Sequence, residues 1–176
     1  MSEVDWIEYS AGCDYAPGVL DDVTTLLHRA YAPLGAAGMN YSAVDQGVAE
    51  TQRRLAGGTT VLGRIDDCIV ATGTVYLHPI RNGISLTYRS IGTAHFGQFA
   101  VDPLHQGSGI GTELLHRLES IATAAGLIYM ACDTAVPATH LIAYYARYGY
   151  EIVERVQWPG KRYQSEVLRK QLAAAR

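Results

Sequence analysis

Apolar positions along this chain recur in two spacings, one near 3.6 residues and one near 2, and the spacings separate helices from strands. Residues 5–9 read as a short first strand. Residues 19–31 carry apolar side chains at helical spacing, behind Pro17, where a helix can start. Pro33, Gly35 and Gly38 are expected to break that helix. Ser42 is a plausible N-cap for a second helix over 43–55, which Gly57-Gly58 ends. Residues 59–64 and 68–77 read as a hairpin about Asp66-Asp67. Residues 79–93 form a polar loop with some strand at 84–88.

A further strand spans 95–101, stopped by Asp102-Pro103. A helix then opens at Gly109 or Ile110. Its apolar positions Ile110, Leu114, Leu115, Leu118, Ile121 and Ala122 share one face, and Gly126 fits its C-terminal cap. Residues 127–132 are continuously apolar, as in a strand buried on both faces. A helix over 139–148 is closed by Gly149, and 150–155 and 163–168 alternate like two last strands. The order predicts an α/β fold with a mixed central sheet flanked by helices. The unit over 95–132 should be parallel and central.

Composition narrows the function classes. A length of 176 residues suits a single domain over 1–176, and 48% hydrophobic against 18% charged residues excludes a disordered chain. The net charge of −3 argues against nucleic acid as a partner, since phosphate neutralisation wants a basic face. No apolar run reaches 18 residues, so no membrane partner is expected. Residues 1–9 carry Glu3, Asp5 and Glu8 without a basic region, so no signal peptide is read and a cytoplasmic protein is expected. Cys13, Cys68 and Cys132 are far apart, which suggests neither a disulfide framework nor a metal site. Cys132, in its apolar run, reads as a buried small residue.

The chemistry concentrates after the strand Gln98-Phe99-Ala100-Val101. There the chain runs Asp102-Pro103-Leu104-His105, then Gln106-Gly107-Ser108-Gly109-Ile110-Gly111-Thr112. Three glycines within five residues let backbone N–H groups turn toward one point, and a helix start adds its positive dipole end. This is an anion site that suits a diphosphate. A nucleotide P-loop would need a lysine, and none is present. The dinucleotide fingerprint fails because Thr112 stands where its third glycine belongs.

The remaining pattern, Gln/Arg-x-x-Gly-x-Gly/Ala from Gln106 to Gly111, resembles the acyl-CoA signature of the GNAT acetyltransferase superfamily. The strand ending Phe99-Ala100-Val101, the Pro103 break, the apolar strand near Cys132 and the closing Tyr145-Ala146-Arg147-Tyr148-Gly149-Tyr150 extend the resemblance. Together these cover roughly residues 93–168, and the N-terminal half agrees in element order only. The resemblance implies the acyl-CoA N-acyltransferase fold, with acetyl-CoA as cofactor and an amine acceptor as the second partner. Relatives often pair, so a homodimer is expected.

Residue by residue, the resemblance implies that pantetheine pairs with backbone at Phe99, Ala100 and Val101. N–H groups from Gln106 through Gly107, Ser108, Gly109, Ile110 and Gly111 would hold the pyrophosphate, with the Thr112 hydroxyl as an extra donor. The Gln106 side chain is expected to stabilise the loop. Many relatives carry an Asn seven residues before the tyrosine. Here Ala138 stands there, and Thr139 is the substitute. Tyr145 aligns with the tyrosine that protonates the leaving thiolate. A phenol of pKa ~10 can donate to a thiolate of pKa ~8.5 and still be protonated at pH 7.

An amine acceptor near pKa ~10 is about 99.9% protonated at pH 7, and freeing it costs roughly 4 kcal/mol. A proton acceptor is therefore sought. His95 occupies a strand position where the histone-acetylating branch has a carboxylate, and a histidine of ordinary pKa could do that work. Asp133 is the second candidate. Gln98 cannot titrate and could only position substrate or water. In the family the acceptor pocket is built by the first two helices and late strand loops, which implies an aromatic wall of Tyr31, Tyr41, Trp158 and Tyr163. The implied activity is acetyl transfer from acetyl-CoA to a primary amine by direct attack in a ternary complex, with a small-molecule acceptor. Protein N-termini or lysines as acceptors, or a non-catalytic acyl-CoA sensor, are the alternatives.

Overall fold

A computed structural model describes residues 3–172; Met1 and Ser2, which open the segment read for a leader, lie outside the described residues. The chain runs β1 (Asp5–Tyr9), α1 (Val19–Ala36), a 3-10 turn (Ser42–Val44), α2 (Val48–Ala56), β2 (Thr59–Ile65) and β3 (Cys68–Tyr76). There follow α3 (Leu86–Arg89), β4 (Thr93–Val101), a 3-10 turn (Pro103–His105), α4 (Ile110–Ala124), β5 (Tyr129–Ala135), α5 (Thr139–Arg147), β6 (Glu151–Val156) and β7 (Ser165–Gln171). One seven-stranded sheet joins them in the order β1-β2-β3-β4-β5-β7-β6. Among the described residues only the central pair β4–β5 is parallel. The mixed α/β sheet and its parallel centre are as the sequence order implied. No helix among the described residues is long and apolar enough to cross a membrane.

Side chains one residue apart on a strand leave the sheet on opposite faces. Leu62, Ile69 and Ala100 pack on one face with Val23, Leu26 and Leu27 of α1 and Leu55 of α2. Val61, Val70, Phe96 and Val101 pack on the other with Leu114, Leu115 and Leu118 of α4 and Tyr145 of α5. The apolar stripe of α4 is thus the buried one, with Ile121 partly covered.

Three element expectations are corrected. Helix α1 does not stop at Tyr31 but continues through Pro33 to Ala36. Leu34 and Met39 bury themselves against Ala135 and Ala138, and that packing carries the helix past its proline. Residues 43–55 are not one helix: the 3-10 turn at Ser42–Val44 precedes α2, which begins at Val48. Residues 84–88 hold the short helix α3, not strand. There Ser85 Oγ caps Tyr88 N–H at 3.1 Å, and the Glu154 carboxylate accepts from Ser85 Oγ and from the N–H groups of Leu86 and Thr87. Such a cap satisfies N–H groups that a helix start leaves open.

Candidate active site

β4 pairs with β5 at only three residues, Thr93, Ala94 and His95, and then the strands part. The cause lies within β4. Against β3, Thr72 pairs Ala100 and Thr74 pairs Gly97, so β4 holds one extra residue. Gln98 lies there with φ 52°, a left-handed conformation that a non-glycine residue adopts at a cost of about 1–2 kcal/mol. A bulge of this kind bends its strand and re-aims the side chains. It also inverts their parity, so that Phe96 and Val101 share a face despite their odd spacing.

A buried polar chain holds the bulge in place. Gln46 Nε2 donates to Gln98 Oε1 and to Thr51 Oγ1, both at 2.8 Å, and Thr24 Oγ1 donates to Thr51 Oγ1 at 2.7 Å. Gln46→Leu is expected to lower the unfolding free energy by about 1–3 kcal/mol, the cost of stranding a buried acceptor. Urea denaturation at neutral pH measures it; a loss below a few tenths, ~0.3 kcal/mol, would show that the bulge does not depend on Gln46.

Past the bulge the chain forms the Gly-rich loop for which an anion was expected. Gly107 and Gly109 take φ 78° and 92°, which glycine allows without strain. The first bond of α4 runs from Glu113 N–H to Gly109 O at 3.0 Å. The N–H groups of Ile110, Gly111 and Thr112 precede it, and no acceptor among the described residues takes them. A diphosphate fits this set of donors at a helix start. Gln106 braces the loop, as expected, by donating from Nε2 to Val101 O at 3.1 Å. Ser108 Oγ donates to His105 O at 2.5 Å. The Thr112 hydroxyl is engaged with Tyr148 Oη at 2.6 Å. Gly111 permits a close approach: a Cβ there would lie 3.0 Å from Tyr144 Oη. Thr139, the first residue of α5, stands exposed.

On the α1 side of the split lies a cavity of about 610 Å³. The four aromatic residues Tyr31, Tyr41, Trp158 and Tyr163 all line it, and so do Gln98, His95 and Asp133. Sequence separations of more than 100 residues are closed by the sheet. Tyr31 packs edge-on to Tyr41, with ring centroids 5.4 Å apart, and Tyr41 lies 5.1 Å from Tyr163. Tyr31 Oη donates to Phe99 O at 3.0 Å, which fixes the aromatic wall to the opened strand. Tyr41 Oη accepts from Ala135 N–H at 2.8 Å.

The two candidate bases differ in surroundings. Asp133 accepts from Tyr88 Oη and from Trp158 Nε1, each at 2.9 Å. His95 is sandwiched between Tyr76 and Tyr88, with centroids 4.9 and 4.6 Å away. Burial holds its pKa down from 6.5 to about 4, so the ring is neutral at pH 7. The unfolded chain therefore takes up this proton first, and stability is lost as pH falls from 6.5 toward 4. At ~1.4 kcal/mol per unit the loss is about 3 kcal/mol. In urea unfolding at pH 7 and pH 4.5, the wild type is expected to lose about 2–3 kcal/mol more than His95→Gln. Equal losses would contradict the buried neutral ring.

Tyr145 lies on the α5 side, outside the cavity wall. Its ring packs against Phe96 and Phe99, with centroids 5.7 and 6.3 Å away. Burial pushes its pKa well above 10, so the phenol is protonated throughout the working range. Its hydroxyl has no hydrogen-bond partner among the described residues. Cys132 is 2% exposed and burial raises its pKa too, which fits the reading of a core residue.

A family model described as acetyltransferase (GNAT) family matches residues 21–150. The chain belongs to the GNAT family.

GNAT acetyltransferases are acetyl-CoA-dependent acyltransferases, and this chain is one. No curated protein matches it. Among solved structures it is similar to a GNAT acetyltransferase from Staphylococcus aureus, at TM-score 0.70 and 13% identity over 97% of this chain and 100% of that one. A GNAT acetyltransferase from Elizabethkingia anophelis with acetyl-CoA bound gives 0.62 and 18%, over 96% and 98%. The ribosomal-protein-S18-alanine N-acetyltransferase from Escherichia coli gives 0.62 and 15%, over 98% and 97%. At such identities the likeness establishes the GNAT fold.

Several cavity residues of this GNAT chain carry no motif. Tyr76 and Tyr88 flank His95 only because β3 and α3 lie beside it. Arg53, Arg54 and Lys161 bring cations into the wall from α2 and from the loop before β7. Gln46 governs the bulge from a stretch that reads as plain helix. The abundance of tyrosine, 12 residues against 2 phenylalanines, was the one compositional signal of a polar aromatic pocket.

Proposed function

We propose that this GNAT chain moves the acetyl group of acetyl-CoA to a primary amine of a small molecule, by direct attack while both are bound. The observation that carries the reading is the parting of β4 from β5 after His95, directly beside a cavity that holds His95 and Asp133. A volume of about 610 Å³ suits a small acceptor. Acetyl-CoA supplies the activated thioester. The loop N–H groups at 107–112 hold its diphosphate, and the opened edge of β4 at Phe99, Ala100 and Val101 orients its pantetheine arm.

The acceptor amine enters from the cavity side and must give up a proton there. Asp133 attracts the incoming ammonium and accepts that proton, because it brings a carboxylate to the wall. His95, with a pKa near 4, is no stronger a base than an ordinary carboxylate and carries no charge to hold a cation. It shapes the pocket between Tyr76 and Tyr88. Tyr145, on the far side of the split, donates its phenolic proton to the departing sulfur.

Thiol release from acetyl-CoA, followed over a panel of amines, tests the reading. Amine-dependent release with formation of the N-acetyl product is expected. Tight CoA binding with no release on any amine would make the chain a sensor.

A further inference from the structure

The chain as a whole carries a net charge of −3, yet its cavity has the opposite balance. Three cations line it, Arg53, Arg54 and Lys161, against the single carboxylate of Asp133. The arginines already share one counter-ion. Arg53 Nε and Nη2 and Arg54 Nε all donate to the Glu50 carboxylate, at 2.6 to 2.8 Å. Lys161 has none. Its Nζ donates to two neutral acceptors, Asn40 O at 2.7 Å and Ser42 Oγ at 3.0 Å, and no carboxylate among the described residues lies within ion-pair distance. An ammonium has three donors, so one remains.

The position of Lys161 is also fixed from both sides. Asn40 Nδ2 donates to Gly160 O at 2.9 Å, and Arg162 N–H donates to Asn40 Oδ1 at 2.9 Å. The loop before β7 is thereby clasped to the segment after α1. The entropy of a long flexible side chain is spent before any ligand arrives. Burial, and after it the nearby Arg54 guanidinium, lowers the Lys161 pKa by more than the Asp45 and Asp133 carboxylates raise it. An anion in the cavity would reverse that.

We propose that Lys161 binds an anionic group of the acceptor, so that the substrate is an amine that also bears a carboxylate or a phosphate. The amine is drawn to Asp133 and the anion to Lys161, with Arg53 and Arg54 adding to the field at the same wall. This assignment rests on the acetyltransferase reading of the cavity and names its substrate class.

Matched pairs of amines decide it: ω-amino carboxylic acids against their methyl esters, and aminoalkyl phosphates against the parent amino alcohols. In the wild type the anionic member is expected to have about 10- to 100-fold higher kcat/KM, the range of a charge-assisted hydrogen bond. The pair with the larger ratio tells carboxylate from phosphate. In Lys161→Met the ratio should fall to about 1, through KM for the anionic member, whereas Lys161→Arg should keep it above that value. Equal rates within both wild-type pairs overturn the proposal, and so does a ratio that Lys161→Met leaves unchanged. Calorimetric binding of the same compounds to the CoA-loaded protein separates the two readings. Anion-dependent binding that Lys161→Met abolishes, with no acetylation of any amine, would support the Lys161 site and overturn the transfer reaction. Should Lys161→Met fail to fold, the wild-type pairs still decide.

Discussion

Tyr145→Phe is expected to lower kcat by about 10²- to 10³-fold, the usual loss when a general acid is removed. KM for acetyl-CoA should move little, because the lost interaction is made as the thiolate forms and not in the ground state. Only the phenolic oxygen goes. The ring that packs against Phe96, Phe99 and Tyr150 stays, so the fold should persist. Burial raises the phenol well above 10, which in water would make it a poor acid. A thiolate expelled beside the same apolar rings would lose water too, and that would raise its basicity in the same direction. Steady-state rates across pH, with circular dichroism as the folding control, check this. An unchanged kcat at every pH would remove Tyr145 from the reaction.

Asp133→Asn should lower kcat/KM for the amine by about 10²-fold or more, with acetyl-CoA binding preserved. Asparagine keeps one oxygen to accept from Trp158 Nε1 and turns its Nδ2 donor to Tyr88 Oη, which can accept, but it can neither take a proton nor attract an ammonium. His95→Gln should cost less than 10²-fold, since its ring is already neutral and of low basicity at pH 7. A pH–rate profile discriminates further. Were His95 the acceptor, an acidic limb near pH 4 would vanish in His95→Gln and persist in Asp133→Asn. The reverse order of losses would overturn the roles given to the two residues.

The Gly-rich loop and its neighbours were legible in the sequence because their signals are local. Gly107 and Gly109 are where the backbone needs positive φ, the helix start follows at once, and the apolar stripe of α4 is the stripe that is buried. The same locality explains the parallel β4–β5 centre and the Gln106 brace. Where a distant residue decides, the local signal misled. Glu154 of β6 makes a helix of a segment that reads as strand, and Ala135 and Ala138 carry α1 past Pro33.

The sequence by itself determined the family, the mixed sheet with its parallel centre and the Gly-rich start of α4, since their signals lie along short stretches of chain. The tertiary structure alone decided the chemistry of the acceptor side. Gln98 is bulged because Gln46 reaches it from 52 residues away. His95 is a weak base because Tyr76 and Tyr88 close over it. Lys161 faces the cavity with no ion-paired carboxylate among the described residues, held there by Asn40 and Ser42 from about 120 residues away. Burial and charge balance are properties of neighbours in space, and no spacing along the chain encodes them.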